Sequence, residues 1–211
     1  HARFGSSVDI DNEILMVGAP DEHVNGIRSG VATVFEYSGG SWNEVADLDV
    51  PAGASEFGHS VSIEGNRAVV GAPSSGPSSH GGIAAIYVRH HGIWRLENEF
   101  QADSPQGFDY FGSSVAISGN VAIIGAEHSS PGGASNAGAA YVYFLDLGSY
   151  VLEQKITGAD STSNDRFGRS VAVGGDTAIV GAPRDDHSGC SDAGSATVFT
   201  RVGDVWRVQQ K

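Results

Sequence analysis

The chain has 211 residues, which is enough for one large domain or two small ones. Its formal net charge of −13 argues against partners that an acidic surface repels, so we expect neither a nucleic acid nor an anionic membrane surface to bind it. No apolar stretch approaches the roughly 20 residues of a transmembrane helix, and we expect no membrane span.

One pattern recurs in four copies along the chain. Each copy begins with Phe-Gly, and a Gly-Ala pair follows the phenylalanine at a constant distance. A further glycine then opens a β-rich segment. Because these markers keep one phase through all copies, the chain is a repeat protein. The copies begin at Phe4, Phe57, Phe111 and Phe167.

The first copy predicts four strands in the order FGSSVDI, EILMVGAP, GVATVFEY and SWNEVADL. These segments are rich in Val, Ile, Phe and Tyr and are bounded by Gly, Asn, Asp and Pro. Four antiparallel strands, repeated about every fifty residues, are typical of a propeller blade. We therefore predict an all-β fold, a β-propeller that forms a single domain over residues 1–211. The predicted four-stranded blades cover about 1–53, 54–107, 108–163 and 164–211.

An aromatic pair recurs near the end of each copy. We predict that the second ring of each pair fills the space between successive blades. A platform on which sugars stack is the alternative role for such rings. The pairs are Phe35/Trp42, Tyr87/Trp94, Tyr143/Tyr150 and Phe199/Trp206.

The two motifs together resemble the FG-GAP repeat of integrin α-subunit propellers and their bacterial and eukaryotic relatives, over essentially the whole chain. The resemblance implies a propeller, usually of seven blades, that works outside the cell in adhesion or ligand binding. Many members carry a DxDxDG-type calcium loop between the motifs, whereas this chain has only two-residue turns there. Such turns are too short to wrap a calcium ion, so we expect no cofactor. The turns are Asp11-Asn12, Gly65-Asn66, Gly119-Asn120 and Gly175-Asp176.

Four blades are fewer than the family usually has, and three arrangements remain open. The chain is part of a longer propeller, a closed four-bladed ring, or a half-ring that another chain completes. In each case we expect more protein to cover the apolar residues of the end blades. These residues are Val8, Ile10, Ile14 and Met16 in the first blade and Ile179, Val180, Val198 and Trp206 in the last.

The loops between strands two and three and those between blades share one face of such a fold, and loops on a rigid scaffold are frequent binding sites. They are rich in carboxylates and histidines. The triplets at 21–23 and 185–187 occupy matching places, where they can ligate zinc or another divalent ion; a solvated acidic loop is the simpler alternative. The metal candidates are Asp21, Glu22, His23, Asp185, Asp186 and His187, and the predicted ligand face adds Asp103, Asp109 and His128.

The sequence lacks the common nucleophile, metalloprotease and phosphate-binding motifs, so we expect no catalysis. We expect an extracellular or cell-surface module for binding, adhesion or assembly. Its partner is a protein or glycan ligand, or further copies or blades of the same assembly. The alternatives are a lectin-like propeller and a targeting domain of a larger enzyme. The single cysteine, Cys190, lies among polar residues, and we expect an unreactive thiol.

Overall fold

The computed structural model describes residues 2–74, 81–102, 108–187 and 189–211. In these ranges sixteen strands form four antiparallel sheets, and the strands of each sheet follow one another in sequence order. The one helical segment of the described chain is a 3-10 turn at Pro131–Gly133. This confirms the predicted all-β fold with four-stranded blades.

Each blade is one sheet, and its strands are numbered along the chain. Blade 1 contains β1 Ser7–Asp11, β2 Ile14–Ala19, β3 Val31–Ser38 and β4 Ser41–Asp47. Blade 2 contains β5 Ser60–Glu64, β6 Arg67–Ala72, β7 Ile83–His90 and β8 Ile93–Phe100. Blade 3 contains β9 Phe111–Ser118, β10 Val121–Ala126, β11 Ala139–Asp146 and β12 Ser149–Ile156. Blade 4 contains β13 Ser170–Gly174, β14 Thr177–Ala182, β15 Ser195–Val202 and β16 Val205–Gln210.

Two-residue turns join the first two strands of every blade. The first residue of each turn has a positive φ, which glycine and asparagine tolerate best. In blade 1 this residue is Asn12, because Asp11 still pairs with Ile14. The turn there is Asn12-Glu13, so the sequence prediction of Asp11-Asn12 is wrong by one residue. The turns of the other blades lie where the sequence places them, with Gly65, Gly119 and Gly175 at φ 57°.

Each inner blade packs one side of its sheet against the preceding blade and the other side against the following blade. We call these sides the leading face and the trailing face. In blade 2 the leading face contributes Val61, Tyr87 and Trp94 to an apolar core shared with blade 1. Its trailing face contributes Val69 and Ile86 to a core shared with blade 3. A third core fills the junction of blades 3 and 4.

The Phe-Gly motif of each blade fits against a group of small residues in the blade before it. A Cβ atom at Gly18 would lie only 2.0 Å from the carbonyl oxygen of Gly58, and the Oγ of Ser7 donates a hydrogen bond to that oxygen at 2.8 Å. A Cβ atom at Gly30 would likewise lie 2.2 Å from the carbonyl oxygen of Phe57. We call this group the FG seat. The seats are Ser7/Gly18/Gly30, Ser60/Gly71/Gly82 and Ser114/Gly125/Gly138.

The four sheets form an open arc and not a closed ring. The leading face of blade 1 is uncovered, with Val8 68% and Ile10 59% exposed. The trailing face of blade 4 is also uncovered, and Ile179 there is 42% exposed. Of the three arrangements left open by the sequence, the closed four-bladed ring is therefore not the one that this chain adopts.

Half of the residues predicted to lie on the end faces point the other way. Met16 is fully buried, and both it and Ile14 pack toward blade 2. Val180 and Trp206 are buried against blade 3. Side chains alternate along a strand, so neighbouring apolar residues in β2 or β14 serve opposite faces. In blade 1 the prediction placed Val8 and Met16 on one face, but Met16 pairs with Asp9 and therefore lies on the opposite face from Val8.

Candidate interaction surface on the long-loop face

In every blade, the loop between the second and third strands lies at the same end of the sheet as the segments that connect the blades. The two-residue turns lie at the other end. We call the first end the long-loop face. Its described loops include residues 20–30, 127–138, 183–187 and 189–194, together with the connections 48–59 and 157–169. Parts of two more loops, with the candidate Asp103, lie outside the described residues.

The loop of blade 1 is held by an ion-pair cluster. Asp21 accepts hydrogen bonds from both Arg3 and Arg28, with one contact from each at 2.9 Å. These bonds hold the pKa of Asp21 well below its usual range. Arg28 also lies 3.5 Å from Glu56 in the connection to blade 2. The cluster therefore ties this loop to the neighbouring blade and uses a carboxylate that the sequence assigned to ligand binding.

In blade 3 the motif reads Gly-Ala-Glu instead of Gly-Ala-Pro, and its glutamate belongs to a second ion-pair cluster. Glu127 takes the place of proline in blade 3 and is buried. Its Oε2 lies 3.4 Å from Arg169 and 3.6 Å from Arg166 of the next blade, which flank the Phe-Gly motif there. The neighbouring His128 packs edge-on against the ring of Tyr110, and burial lowers the pKa of the His128 imidazole.

Two predicted ligand residues of this face are buried and not displayed. Asp109 is 2% exposed. Asp185 is 5% exposed, and its carboxylate lies 2.6 Å from the Nζ of Lys211, which also bonds Asp160. The exposed members of the predicted set are His23, Asp186 and His187. Of these, Asp186 accepts a hydrogen bond from the backbone N–H of Asp192.

The two acidic triplets do not occupy equivalent positions. The carbonyl oxygen of Glu22 accepts from the N–H of Gly30, and the carbonyl oxygen of Asp185 accepts from the N–H of Gly194. Asp185 is therefore the counterpart of Glu22, and the triplets are displaced by one residue. Among the described residues no group of three or more His, Cys, Asp or Glu side chains is placed to hold a metal ion.

A small hairpin in the blade 1 loop was missed by the sequence analysis. Val24 and Ile27 exchange both backbone hydrogen bonds, at 2.9 and 3.1 Å, around a turn of Asn25 (φ 53°) and Gly26 (φ 82°). Asn-Gly between two β-branched residues is a strong hairpin signal, and it was available in the sequence. The hairpin, which we call the 24–27 tip, presents Val24 39% and Ile27 69% exposed.

The blade 4 loop has a similar backbone arrangement. His187 and Cys190 exchange two backbone hydrogen bonds, at 3.1 and 3.0 Å, and both side chains are exposed. Cys190 is a free cysteine in this chain. The long-loop face thus carries a hydrogen-bonded hairpin in blade 1 and a two-bond bridge between His187 and Cys190 in blade 4.

The fold defines a class, an open β-propeller segment built from repeated four-stranded blades. The FG-GAP repeat family matches residues 42–88, 94–143 and 150–199, which together exceed two thirds of the chain. The chain belongs to this family of FG-GAP repeat proteins. No curated protein gives a match. In the described residues no helix is long and apolar enough to cross a membrane.

The family repeat is offset from the blade by one strand. Each matched unit begins at the outer strand of one blade, at Trp42, Trp94 or Tyr150, and ends in the third strand of the next blade. One unit therefore contains residues from both sides of a blade junction.

Proposed function

We propose that this chain is a non-catalytic extracellular module that binds a protein partner on its long-loop face, with the 24–27 tip as the apolar anchor. FG-GAP repeats are typical of extracellular proteins, which supports the location. The observation that carries the proposal is the exposure of Val24 and Ile27 on a hydrogen-bonded two-residue hairpin. Backbone hydrogen bonds that fix the tip before binding reduce the conformational entropy lost when a partner covers its apolar side chains.

The charges of the face support a basic partner. The chain carries a net charge of −13, and Asp186 and Asp192 are exposed on this face. Complementary charge speeds association and selects among partners, while buried apolar anchors contribute most of the affinity. We therefore infer a partner segment that combines Lys or Arg with an apolar residue.

The glycan-binding alternative rests on the repeated aromatic residues. Trp94, Tyr150 and Trp206 are buried in the blade junctions, where a sugar has no access. Trp42 is 40% exposed and lies beside Tyr37, with ring centroids 5.3 Å apart. This pair lies on the leading face of blade 1, so a glycan site would be a single site at the end of the arc.

The test is selection of a phage-displayed random peptide library against the immobilised chain. We expect enriched peptides to contain basic and apolar residues and to lose binding to the double variant Val24→Ser, Ile27→Ser. The matched control is Val45→Ser, Ile93→Ser, which removes two exposed apolar side chains outside the long-loop face. The control should bind the peptides as the unchanged chain does.

Equal binding of the enriched peptides to both double variants would overturn the role of the 24–27 tip. A glycan array on the same three proteins and on Trp42→Ala tests the alternative. Glycan binding that is lost only in Trp42→Ala, together with failure of peptide selection, would replace the protein-binding proposal by the glycan-binding one.

A further inference from the structure

Blade 4 carries an FG seat that no residue of this chain occupies in the described structure. Gly181 corresponds to Gly18, Gly71 and Gly125, and Ser170 corresponds to the serines that donate to the next blade. A Cβ atom at Gly181 would meet only Ser170 within ordinary contact range, its Oγ at 2.4 Å. Ser170 itself is exposed.

Glycine at position 181 has no local structural cause. Its φ lies outside the left-handed region, and it lies inside a strand, where glycine is less stable than alanine. Glycine inside a strand often marks the close approach of another backbone. In the three inner junctions that approach is made by the Phe-Gly carbonyl oxygen of the next blade, which lies 2.0 Å from the place a Cβ atom would take.

Blade 1 carries the matching part. Phe4 is 58% exposed, whereas Phe57, Phe111 and Phe167 are almost completely buried in the seats before them. Phe4 keeps only the edge contact with Phe35 of its own sheet, at 6.3 Å between centroids, among the ring contacts of the described residues. Gly5 has φ 87°, the same conformation as Gly58, Gly112 and Gly168.

The outer strands of blades 4 and 1 also carry residues that correspond to a hydrogen-bonded pair at an inner junction. At the junction of blades 3 and 4, Gln154 accepts from the backbone N–H of Trp206 at 2.8 Å and donates to its carbonyl oxygen at 3.0 Å. Gln210 has the position of Gln154, because Gln210 pairs with Val198 as Gln154 pairs with Val142. Trp42 of blade 1 has the position of Trp206, and both Gln210 and Trp42 are exposed.

We propose that the trailing face of blade 4 binds the leading face of blade 1 from a second copy of this chain. Phe4-Gly5 of that copy occupies the seat at Ser170, Gly181 and Gly194, and Gln210 binds the backbone at its Trp42. The contact is heterologous, so two copies close into a ring if the rotation per blade permits, and otherwise copies add head to tail. This inference does not depend on the function of the long-loop face.

A second copy of this chain carries the complementary surface. Both halves of the contact repeat the composition of three junctions already present in the molecule. The apolar side chains also agree, since Ile179 has the position of Met16, and Val8 and Ile10 have the positions of Val61 and Ile63. Association would remove these exposed apolar side chains from water, which is favourable.

The experiment is sedimentation velocity of the full chain from low micromolar to several hundred micromolar concentration. We expect concentration-dependent association that Gly181→Leu and Phe4→Ala each weaken by about tenfold or more in Kd. In the chain alone, a Cβ atom at 181 meets the rotatable Ser170 hydroxyl on an otherwise uncovered face, so we expect Gly181→Leu to keep the Tm of the unchanged protein. Ile93→Ser, which changes an exposed apolar side chain of blade 2 outside the proposed contact, is the control that should leave association unchanged.

Disulfide trapping fixes the orientation of the contact. Asp9 of blade 1 bonds the N–H of Ile63 in blade 2 at 2.8 Å, and positions 172 and 10 are the counterparts of this pair at the chain ends. In a Cys190→Ser background, a mixture of Ala172→Cys and Ile10→Cys chains should form the mixed disulfide. Each single variant alone should not cross-link.

A chain that stays monomeric at every concentration and forms no mixed disulfide would overturn the proposal. Association that persists in both Gly181→Leu and Phe4→Ala would also overturn it, because the contact would then lie elsewhere. Association lost in both variants, with the mixed disulfide formed, supports it.

Discussion

The inner blade junctions and the two end faces are built from the same residue types, yet they differ in exposure. Val61 is 8% exposed in a junction, and its counterpart Val8 on the end face is 68% exposed. Trp94 is 7% exposed and Trp42 is 40% exposed. The sequence of a repeat specifies half of an interface, and whether that half is core depends on the blade beside it.

Truncation of the motif phenylalanine should give the largest difference in stability between an inner junction and an end face. Phe111→Ala should lower the free energy of unfolding by about 3–5 kcal/mol, because a buried ring is replaced by a cavity. Phe4→Ala should change it by less than about 1 kcal/mol, because Phe4 is half exposed. Urea unfolding at a concentration where the chain is monomeric measures both values. Equal losses in the two variants would mean that blade 1 is covered in solution.

A smaller effect is expected at the serine of the FG seat. Ser114 Oγ donates to the carbonyl oxygen of Gly168 at 2.8 Å, so Ser114→Ala should destabilise the fold by about 1 kcal/mol. Ser170→Ala removes a hydroxyl that faces solvent in the single chain and should be nearly neutral in the same urea assay. A comparable loss from Ser170→Ala in dilute protein would contradict the open arc.

We expect two partly buried histidines to make the stability of the fold depend on pH. Burial lowers the pKa of His59, which follows the Phe-Gly motif of blade 2, and of His128. The unfolded chain then binds protons more readily than the folded chain, so stability is complete above the ordinary histidine pKa of 6.5 and decreases as the pH falls below it.

Thermal melts across this pH range should show the decrease in Tm. The double variant His59→Gln, His128→Gln should show a flatter dependence than the unchanged chain. The exposed His187→Gln is the matched control and should keep the original slope. If the double variant loses Tm with falling pH as steeply as the unchanged chain, other titratable groups cause the decrease.

The smallest expected effect is that of calcium removal. The turns between the motifs hold two residues each, too few to supply a calcium ion with oxygen ligands. Thermal melts with and without a chelator should therefore give nearly the same Tm for the blades. A fall of many degrees would contradict this expectation.

The repeat phase made the fold predictable from the sequence. Short strands bounded by turn residues and a constant Phe-Gly to Gly-Ala distance define each blade without tertiary information. The face of the sheet on which each strand residue lies was less predictable, because it depends on the register between neighbouring strands. Met16 illustrates this, since its pairing with Val34 and Asp9 places it toward blade 2.

The candidate surface was predicted only in outline. Sequence reasoning found the loops and their acidity, but it could not assign carboxylates to internal ion pairs. Arg3 and Asp21 are eighteen positions apart and meet only because the chain folds back along β1 and β2. The 24–27 tip, by contrast, is predictable from Asn25-Gly26 in the sequence, because Asn-Gly favours a two-residue hairpin turn.

The offset between the family repeat and the blade has an evolutionary consequence. A unit such as 94–143 carries the outer strand of one blade and three strands of the next, so it contains both sides of a junction. Duplication or deletion of one such unit in a gene would change the number of blades while every new junction kept an existing composition. Blade number in such a gene can therefore vary without any compensating mutation at the joins.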